Sequence, residues 1–447
     1  MTAADTPSRR SAAATDPAGK RVTVVGLGRF GGGGGVTRWL CEQGANVTVS
    51  DLAGPEQLAD AIRQLDGLDV TLHLGSHEER DFLEADLLVV NPAVPPELPL
   101  LRAARVPRTT EINLFLHRCR APVVAVTGTV GKSTTTAMIG QVLARRFEVH
   151  VGGNIGRSLL SDLPRIQPDH VVVLELSSFQ LGALPDLATG PHVALVTNLA
   201  PNHLDRHGTL EAYADAKKNI FRFQGPGDVL VLHAADELTA GWKDEVPAGV
   251  AVDFFDPRGE PFELAVVGGH NQANAQAAWA AARPFGIDRD TAAAALAAFS
   301  GLPHRLEFVT ERDGVRYVND SKCTTPEGAV VALNAFAPRT AIVIVGGYDK
   351  GAGFDTLGAA LADRAKAVIA LGATAEKIAA ATEAHRAGEK PPIARAADLP
   401  DAVRLARGHA AAGDAVLLAP ACASYDMFLN YEQRGEAFSK LVRDEPD

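Results

Sequence analysis

Residues 121–140 read APVVAVTGTVGKSTTTAMIG, and this stretch decides the fold. A β-branched run leads into a glycine-rich turn, and a helical segment begins directly after it. Gly128 and Gly131 let the backbone fold around phosphates, Lys132 supplies a positive charge, and the hydroxyl of Ser133 can reach a magnesium ion. The motif is a shortened phosphate loop, because no glycine stands five positions before the second one. The stretch therefore predicts a strand, a triphosphate-binding loop and a helix.

On either side of this stretch, short β-branched runs alternate with helical segments rich in Ala and Leu. Such alternation predicts an α/β fold with largely parallel sheets. It occurs in three series, and the segment LPHRLEFV marks the last boundary. We predict a Rossmann-like domain at 21–110, a P-loop-type ATP-binding domain with a mostly parallel sheet at 111–302, and a Rossmann-like domain at 303–447. Residues 1–20 are predicted to be a disordered leader.

A second glycine-rich turn, GLGRFGGGGG at 26–35, follows the first strand. Its first glycines match the GxGxxG pattern, and Asp51 ends the next strand, where an acid usually contacts a ribose. A nicotinamide cofactor, a nucleotide-linked substrate and a turn that only packs helix on strand all fit this pattern. Because glycine weakens a helix by about 1 kcal/mol relative to alanine, we expect the five-glycine run to prolong the loop or leave it mobile.

Three further residues are predicted at the ends of central strands, where open α/β sheets bind ligands. They are Glu175 in LELSSFQL, His203 in NLAPNHLDRH and Lys217 in YADAKKNIF. Magnesium prefers hard oxygen ligands, so Ser133 and Glu175 suit it, whereas His203 is a softer ligand. Taken alone, His203 also fits a capping or core residue, and Lys217 also fits a solvated side chain on a helix.

The composition excludes several classes of partner. The 447-residue chain has a net charge of −11 and no run of Lys and Arg, which argues against nucleic acid. No apolar stretch approaches the roughly 20 residues that span a bilayer, so we expect a cytoplasmic protein without membrane contact. The four cysteines are far apart and form no metal-spaced cluster, which predicts reduced core thiols.

From about Arg21 to Val442 the chain resembles the Mur ligases of peptidoglycan synthesis, and nine motifs, in order along the chain, carry the resemblance. They are TGTVGKST, GGNIG, LELSSFQL, NHLDRHGTLEAYADAKKNIF, GGHNQANAQAA, LPHRLEF, NDSKCTTPEGA, GGYDKG and APACASYDMFLNYEQRGEAF. ELSSFQL, NDSK and the last motif resemble the branch that adds D-glutamate. The resemblance implies that ATP phosphorylates the alanyl carboxylate of UDP-N-acetylmuramoyl-L-alanine (UDP-MurNAc-L-Ala), and that the amine of D-glutamate attacks the acyl phosphate. It also implies Mg²⁺, with two ions expected, and we expect a monomer whose partners are these small molecules.

The resemblance assigns roles to residues in each predicted domain. It implies catalytic roles for Lys132, His203 and Lys217, and metal binding by Ser133, Glu175, His203 and Lys217. Lys217 matches the family lysine that is carbamylated into a carboxylate-like metal bridge. The implied ATP contacts are Gly128, Thr129, Gly131, Lys132, Ser133, Thr134, Asn271, Arg305 and Asp320. The implied UDP-substrate contacts are Gly28, Arg29, Phe30, Gly31, Asp51 and Asn154. The implied D-glutamate contacts are Lys322, Thr324, Lys350, Ser424 and Tyr431, whose lysines and hydroxyls suit a dicarboxylate.

Three positions depart from the family pattern. Val130 replaces a polar residue before the loop glycine, Asn202 stands before His203 where an acid is common, and Tyr431 stands where phenylalanine is familiar. None of these departures removes a predicted metal ligand or the loop lysine, so we expect them to affect the affinity for substrates more than the activity. Three other interpretations stay open: another amide ligase of the superfamily (a sister Mur enzyme or a folylpolyglutamate synthase), a P-loop regulator that makes no bond, and a dehydrogenase that uses the first glycine turn. The motifs of the third domain favour D-glutamate.

Overall fold

A computed structural model describes residues 16–28, 32–155, 158–266, 268–349 and 351–444. Most of the predicted leader therefore lies outside the described residues. The chain divides into two compact units. The N-terminal unit comprises Met1–Pro261 and Ala273–Ala295, and the C-terminal unit comprises Phe262–Gln272 and Leu296–Asp447.

The first sheet of the N-terminal unit has five parallel strands in the order β3-β2-β1-β4-β5. The strands are β1 (Arg21–Val25), β2 (Asn46–Asp51), β3 (Val70–Leu74), β4 (Leu87–Val90) and β5 (Arg108–Thr109). The helices between them are α1 (Gly32–Glu42), α2 (Ala59–Arg63), α3 (Glu79–Leu83) and α4 (Pro99–Ala103). Because β1 lies between β2 and β4, the winding of the sheet reverses there and opens a crevice at the carboxyl end of β1. The first glycine turn lies at this point.

Gly31, the first residue of the five-glycine run, lies outside the described residues. The other four do not prolong the turn as expected, because helix α1 begins at Gly32 and includes the next three glycines. Glycine permits a close approach at these positions. A Cβ atom on Gly33 would lie 2.2 Å from the carbonyl oxygen of Leu27, and one on Gly35 would lie 2.7 Å from the Cβ atom of Ser158. The low helix propensity of glycine is therefore offset by the packing of α1 on the turn and on the segment that contains Ser158.

The second sheet has six parallel strands in the order β11-β10-β9-β6-β8-β7. The strands are β6 (Val123–Thr127), β7 (Val149–Gly153), β8 (Val171–Glu175), β9 (Val193–Val196), β10 (Val229–His233) and β11 (Ala251–Phe255). The helices are α5 (Glu111–Arg118), α6 (Lys132–Leu143), α7 (Ser178–Leu181), α8 (Leu204–His207), α9 (Leu210–Arg222), α10 (Glu237–Ala240), α11 (His270–Ala282) and α12 (Arg289–Ala297). Short 3-10 helices occupy Leu160–Asp162, Leu184–Asp186, Gly241–Glu245 and Arg283–Phe285. Since β6 lies between β8 and β9, the loops that follow these three strands adjoin at one edge of the sheet.

The sheet of the C-terminal unit has six strands in the order β12-β13-β17-β14-β15-β16. The strands are β12 (Glu307–Arg312), β13 (Val315–Asn319), β14 (Ala341–Val345), β15 (Ala365–Ala370), β16 (Ile393–Arg395) and β17 (Ala415–Leu418). The helices are α13 (Pro326–Asn334), α14 (Asp355–Arg364), α15 (Ala375–His385), α16 (Leu399–His409) and α17 (Tyr431–Asp444). Among these described strands, only β12 runs antiparallel to its neighbour, so the sheet is mixed. The loops after β13, β17 and β14 lie side by side.

The predicted α/β class with three sheets is confirmed, whereas the domain boundaries stay predictions. Every residue of β6 is buried, as expected for a parallel strand covered on both faces. One apolar cluster includes side chains from both sheets of the N-terminal unit, and two clusters cover the faces of the third sheet. All four cysteines are free thiols; Cys323 and Cys422 are buried, while Cys41 and Cys119 are only partly buried.

Among the described helices, none combines the length and the apolar character that crossing a membrane requires.

Candidate active site

The phosphate loop connects β6 to α6 as predicted, and its two glycines are required by geometry. Gly128 and Gly131 have φ angles of 146° and 82°, which side chains rarely permit. A Cβ atom on Gly128 would lie 1.9 Å from Oγ1 of Thr197, and one on Gly131 would lie 2.6 Å from Oδ1 of Asn274. The loop therefore passes close to two polar side chains, and only glycine fits at these points.

The segment that follows β9 holds the loop through its backbone at Val130. The hydroxyl of Thr197 donates to the carbonyl oxygen of Val130 at 2.7 Å. The side-chain amide of Asn198 donates to the same oxygen at 3.0 Å, and its Oδ1 accepts from the Val130 amide at 3.0 Å. The side chain of Val130 is 64% exposed. Replacement of a polar residue by valine thus leaves the backbone contacts of the loop in place.

Two lysines meet at one carbonyl oxygen of the loop. Nζ of Lys132, the first residue of α6, donates to the carbonyl oxygens of Gly128 at 3.1 Å and Thr129 at 2.9 Å. Nζ of Lys217, on α9, donates to the carbonyl oxygen of Gly128 at 2.7 Å. Ser133 follows Lys132 on α6 and is buried. The structure therefore brings the predicted loop lysine, the predicted carbamylated lysine and one predicted metal ligand into the same neighbourhood.

Lys217 is unusual because its amine is almost completely buried, with 1% of the residue exposed. Its Nζ atom lies 4.5 Å from the centre of the Tyr213 ring and donates to the hydroxyl of Thr127 at 3.4 Å. Burial and the charge of Lys132 lower the pKa of the amine to about 7, and the charge of Glu175 opposes this shift in part. A large fraction of the amine is therefore neutral and nucleophilic near neutral pH.

Glu175 ends β8 with a carboxylate that is half satisfied. Its Oε1 accepts from the side-chain amide of Asn154 at 2.8 Å. Its Oε2 is buried and has no hydrogen-bond partner among the described residues. The backbone amide of Asn154 also donates to the Glu175 carbonyl oxygen at 2.8 Å, so these two predicted residues are held together. A buried carboxylate oxygen without a hydrogen-bond donor suits a hard cation such as Mg²⁺, so the oxygen atoms of Glu175 and Ser133 are chemically suited to bind this ion.

His203 lies at the start of α8, is exposed and has a φ angle of 52°. Its ring lies 5.2 Å from that of Phe179 and 6.3 Å from that of Tyr213. The sequence patterns did not single out Tyr213, although it stands four residues before Lys217 on α9 and so shares a helix face with it. Tyr213 is the ring that the predicted metal ligands His203 and Lys217 both approach.

The first glycine turn is closed by Asp51 at the end of β2. One carboxylate oxygen of Asp51 accepts from the backbone amides of Leu27 at 2.8 Å and Gly28 at 3.2 Å. The other accepts from the amide of Ala53 at 2.8 Å. Asp51 therefore fixes the shape of the turn, and its contact with a ribose stays a prediction. Arg29, Phe30 and Gly31 lie outside the described residues.

In the C-terminal unit, Asp320 directly follows β13 and is 7% exposed. Its Oδ1 accepts from the amide of Leu306 at 3.1 Å. Burial raises the pKa of this carboxyl to about 7, although the charge of Arg305 opposes the shift. Nε of Arg305 is buried without a hydrogen-bond partner in the described part of the chain. Asn271, the remaining predicted ATP contact of this unit, is buried in the first turn of α11.

The predicted D-glutamate contacts come from adjoining loops of the same unit. Lys322 and Thr324 follow β13, Ser424 follows β17 and is buried, and Tyr431 is the first residue of α17. Nζ of Lys322 lies 5.6 Å from the centre of the Tyr431 ring. Lys350 lies outside the described residues. Because β13 and β17 are parallel neighbours, the residues that follow them lie together at the carboxyl ends of these strands.

A residue that the sequence patterns missed, Arg434 on α17, joins these loops. It is 2% exposed. Its guanidinium donates to Oγ and the carbonyl oxygen of Ser321 at 2.9 and 2.8 Å, and to the carbonyl oxygen of Cys422 at 3.1 Å. Burial lowers its pKa to about 10, so it stays charged at neutral pH. A sequence feature that points to Arg434 is the four-residue spacing that places it on the buried face of α17 with Phe438 and Val442.

Three segments of the chain match families of related domains. Residues 20–112 match the family described as Mur ligase MurD-like, N-terminal domain; residues 126–251 match Mur ligase middle domain; and residues 304–422 match Mur ligase, glutamate ligase domain.

Curated relatives match the chain over nearly its full length. A UDP-N-acetylmuramoylalanine--D-glutamate ligase from Roseiflexus sp. (strain RS-1) is 41% identical, covering 95% of this chain and 98% of the relative. A protein of the same name from Symbiobacterium thermophilum is 40% identical, with shares of 95% and 98%.

Solved structures show the same fold at lower identity. The UDP-N-acetylmuramate-alanine ligase of Thermotoga maritima gives a TM-score of 0.61 at 20% identity, covering 95% of this chain and 99% of that one. The MurF ligase of Thermotoga maritima in complex with ADP gives a TM-score of 0.55 at 20% identity, with 97% of each chain covered.

Proposed function

This chain belongs to the Mur ligase family, and from that premise we propose that it uses ATP to join D-glutamate to UDP-N-acetylmuramoyl-L-alanine in peptidoglycan precursor synthesis. The relatives of that name match over nearly the full length of the chain, and this favours D-glutamate over the substrates of a sister enzyme. A P-loop regulator and a dehydrogenase would leave this similarity unexplained.

The observation that carries the proposal is the group of charges at the phosphate loop. Glu175 is buried with one carboxylate oxygen lacking a donor among the described residues, and Lys132 and Lys217 share the carbonyl oxygen of Gly128. We propose that Ser133 and Glu175 hold one Mg²⁺ ion and that His203 and a modified Lys217 hold a second. Bound Mg²⁺ would neutralise charge on the triphosphate oxygens.

The chain's own residues would act on the two reactants as follows. Anionic carboxylate and triphosphate repel each other, so the charge of Lys132 beside the loop amides favours their approach. An alanyl carboxylate oxygen attacks the terminal phosphorus, and ADP leaves with the electron pair of the broken P–O bond. The D-glutamate amine then attacks the acyl carbon, loses a proton and expels phosphate. We propose that Asn154, held beside Glu175 at 2.8 Å, positions the acyl donor.

The substrate sites would lie at the ends of sheets. We propose that the first glycine turn, closed by Asp51, binds the UDP moiety through its backbone amides. Asn271, Arg305 and Asp320 would contact ATP. Lys322, Thr324, Lys350, Ser424 and Tyr431 would bind D-glutamate. A cytoplasmic location and a monomeric state also stay predictions.

The assay that tests the function measures phosphate release from ATP with UDP-MurNAc-L-Ala and one amino acid at a time. We expect D-glutamate to stimulate release, and L-glutamate, L-alanine, glycine and diaminopimelate to leave it near background. With amino acid omitted, hydroxylamine should trap the acyl phosphate as a hydroxamate. Absence of stimulation by D-glutamate, or greater stimulation by another amino acid, would refute the assignment.

We further propose that Lys217 is carbamylated, which its burial among neutral oxygens and near a metal site supports. The ammonium first loses one proton. The neutral amine then adds to the carbon of CO₂, so that an N–C bond forms while one C–O π bond breaks, and the nitrogen loses a second proton, so that a cation becomes an anion. Lys217→Ala should lose activity that a short carboxylic acid partly restores. The control is Lys218→Ala, because Lys218 pairs with Glu245 and packs on Trp242 away from the loop. Full activity of Lys217→Ala, or no carbamate signal with ¹³C-labelled CO₂, would contradict the proposal.

A further inference from the structure

Two histidines and a glutamate form a compact group at the edge of the second sheet, away from the phosphate loop. Nε2 of His150 lies 3.0 Å from Nδ1 of His170, and the two rings are stacked at 5.2 Å. Oε2 of Glu148 lies 3.4 Å from Nε2 of His170, and its Oε1 lies 3.9 Å from Nε2 of His150. One ligand atom from each residue can be chosen so that all three lie within 4.8 Å of one another.

The pairing of β7 with β8 creates this group. Glu148 and His150 are two residues apart along the chain, so their side chains point to the same face of the sheet. Val149 pairs with Val171, and the amide of Val171 donates to the carbonyl oxygen of Glu148 at 2.9 Å, which sets His170 beside Glu148. The three side chains therefore converge because of strand register.

The chemistry of the three side chains suits a borderline divalent metal. Imidazole nitrogens with one carboxylate are typical ligands for Zn²⁺, Co²⁺ and Ni²⁺, whereas Mg²⁺ and Ca²⁺ prefer oxygen. Two nitrogens that each lie about 2.1 Å from one ion are about 3.0 to 3.4 Å apart, depending on the coordination angle. The imidazole side chains are 14% and 13% exposed, and the glutamate side chain is 66% exposed, so an ion can enter from solvent.

We propose that Glu148, His150 and His170 bind one divalent transition-metal ion of the Zn²⁺ class, with water completing its coordination. β7 is an edge strand of the second sheet. The ion would fasten the amino end of this strand to the segment that leads into β8. His150 and Gly153 are three residues apart on β7, or about 10 Å. The ion therefore stabilises the strand that ends beside Asn154 without entering the site of phosphoryl transfer.

The test uses the full chain, stripped of metal with a chelator and kept free of nucleotide. Zn²⁺ binding is measured by calorimetry, Co²⁺ binding by visible absorption, and the melting temperature with and without Zn²⁺. We expect one Zn²⁺ ion per chain at this site and a rise in melting temperature. His150→Gln and His170→Gln should each weaken binding at least about tenfold and remove the rise.

Two matched controls separate this site from others. His73→Gln removes the other described histidine and carboxylate group, which comprises His73, Glu78 and Asp81. His203→Gln removes the histidine proposed for the active site. Both controls should retain the Zn²⁺-dependent rise in melting temperature. His150→Gln should keep its circular dichroism spectrum and its ATP-dependent ligase activity, which shows that the variant is folded.

Three results would overturn the proposal. The first is no Zn²⁺ or Co²⁺ binding to the wild-type chain at micromolar concentrations. The second is unchanged binding in the double variant His150→Gln, His170→Gln. The third is loss of the Zn²⁺ effect in His73→Gln or His203→Gln while the His150→Gln and His170→Gln variants retain it.

Discussion

Replacing single glycines of helix α1 by alanine should give opposite results at two adjacent positions. Alanine is more favourable than glycine in a helix interior by about 1 kcal/mol, mainly because an alanine residue has less backbone freedom in the unfolded chain and so loses less on folding. At Gly34 the new Cβ atom would lie 3.1 Å from Oε1 of Gln64, the far end of a flexible side chain. We expect Gly34→Ala to stabilise the N-terminal unit by up to about 1 kcal/mol.

At Gly33 the steric cost outweighs that gain. The new Cβ atom would lie 2.2 Å from the carbonyl oxygen of Leu27 and 2.6 Å from its carbonyl carbon and Cα atom. All three are backbone atoms, so the helix and the turn must move apart by about 1 Å to restore van der Waals contact. Overpacking of this kind costs about 1 to 3 kcal/mol. We therefore expect Gly33→Ala to lower the free energy of unfolding by up to about 2 kcal/mol in spite of its better helix propensity.

Urea denaturation followed by tryptophan fluorescence measures both effects. All three tryptophans, Trp39, Trp242 and Trp279, belong to the N-terminal unit, and Trp39 lies buried on α1 itself. The same displacement should weaken binding of the UDP-substrate by Gly33→Ala and leave Gly34→Ala near wild type. If Gly33→Ala is as stable as Gly34→Ala, close approach to Leu27 is not the reason for glycine at this position.

Two further predictions concern the C-terminal unit. Burial raises the pKa of Asp320 from 3.8 to about 7, so the folded state binds the proton more tightly than the unfolded chain, and stability falls as the pH rises between these values. Asp320→Asn should therefore raise the free energy of unfolding by on the order of 4 kcal/mol at pH 8 and change it little below pH 4. Urea denaturation followed by circular dichroism measures the difference, and Asp313→Asn, at an exposed position, is the control. A pH-independent difference would refute this reasoning. Arg434→Met should destabilise the unit by about 3 kcal/mol and raise the KM for D-glutamate, because the oxygen atoms of Ser321 and Cys422 lose their hydrogen-bond donor. Arg434→Lys should restore little of either property, because lysine lacks the planar guanidinium. An unchanged KM would show that Arg434 does not position the loops that bind D-glutamate.

The phosphate loop could be predicted from sequence because its chemistry is local. The strand, the two glycines, Lys132 and the helix are contiguous in the chain, and the structure places them in that order. The three-sheet α/β fold was predictable for the same reason, since each buried strand is a short apolar run. The antiparallel pairing of β12 was not, because the direction of an edge strand depends on the chain that returns to it.

Residues that act across long sequence separations could not be found in this way. The spacing of Arg434 with Phe438 and Val442 indicates a buried helix face, but no local pattern links Arg434 to Ser321, which lies 113 positions away. The glycine run misled for a related reason. Helix propensity describes an isolated segment, whereas Gly33 and Gly35 are explained by backbone and side-chain atoms that approach from outside the helix. Helix propensity alone predicted a longer or mobile loop, and a helix forms because tertiary packing contributes more free energy than propensity does.

The charges at the phosphate loop indicate a fold arranged for a ligand more than for its own stability. A buried carboxylate oxygen on Glu175 lacks a donor among the described residues, and the amine of Lys217 is buried with a pKa near 7, beside the charge of Lys132. Each feature costs free energy on folding, because burial penalises unsatisfied polar atoms and clustered cations. With the proposed ATP and Mg²⁺ bound, this cost would be offset, because each buried charge would then have a partner of opposite charge. Thr197 and Asn198 already fix the loop backbone at Val130, so in the proposed reaction binding energy would not be needed to order the loop and would be available for the acyl transfer.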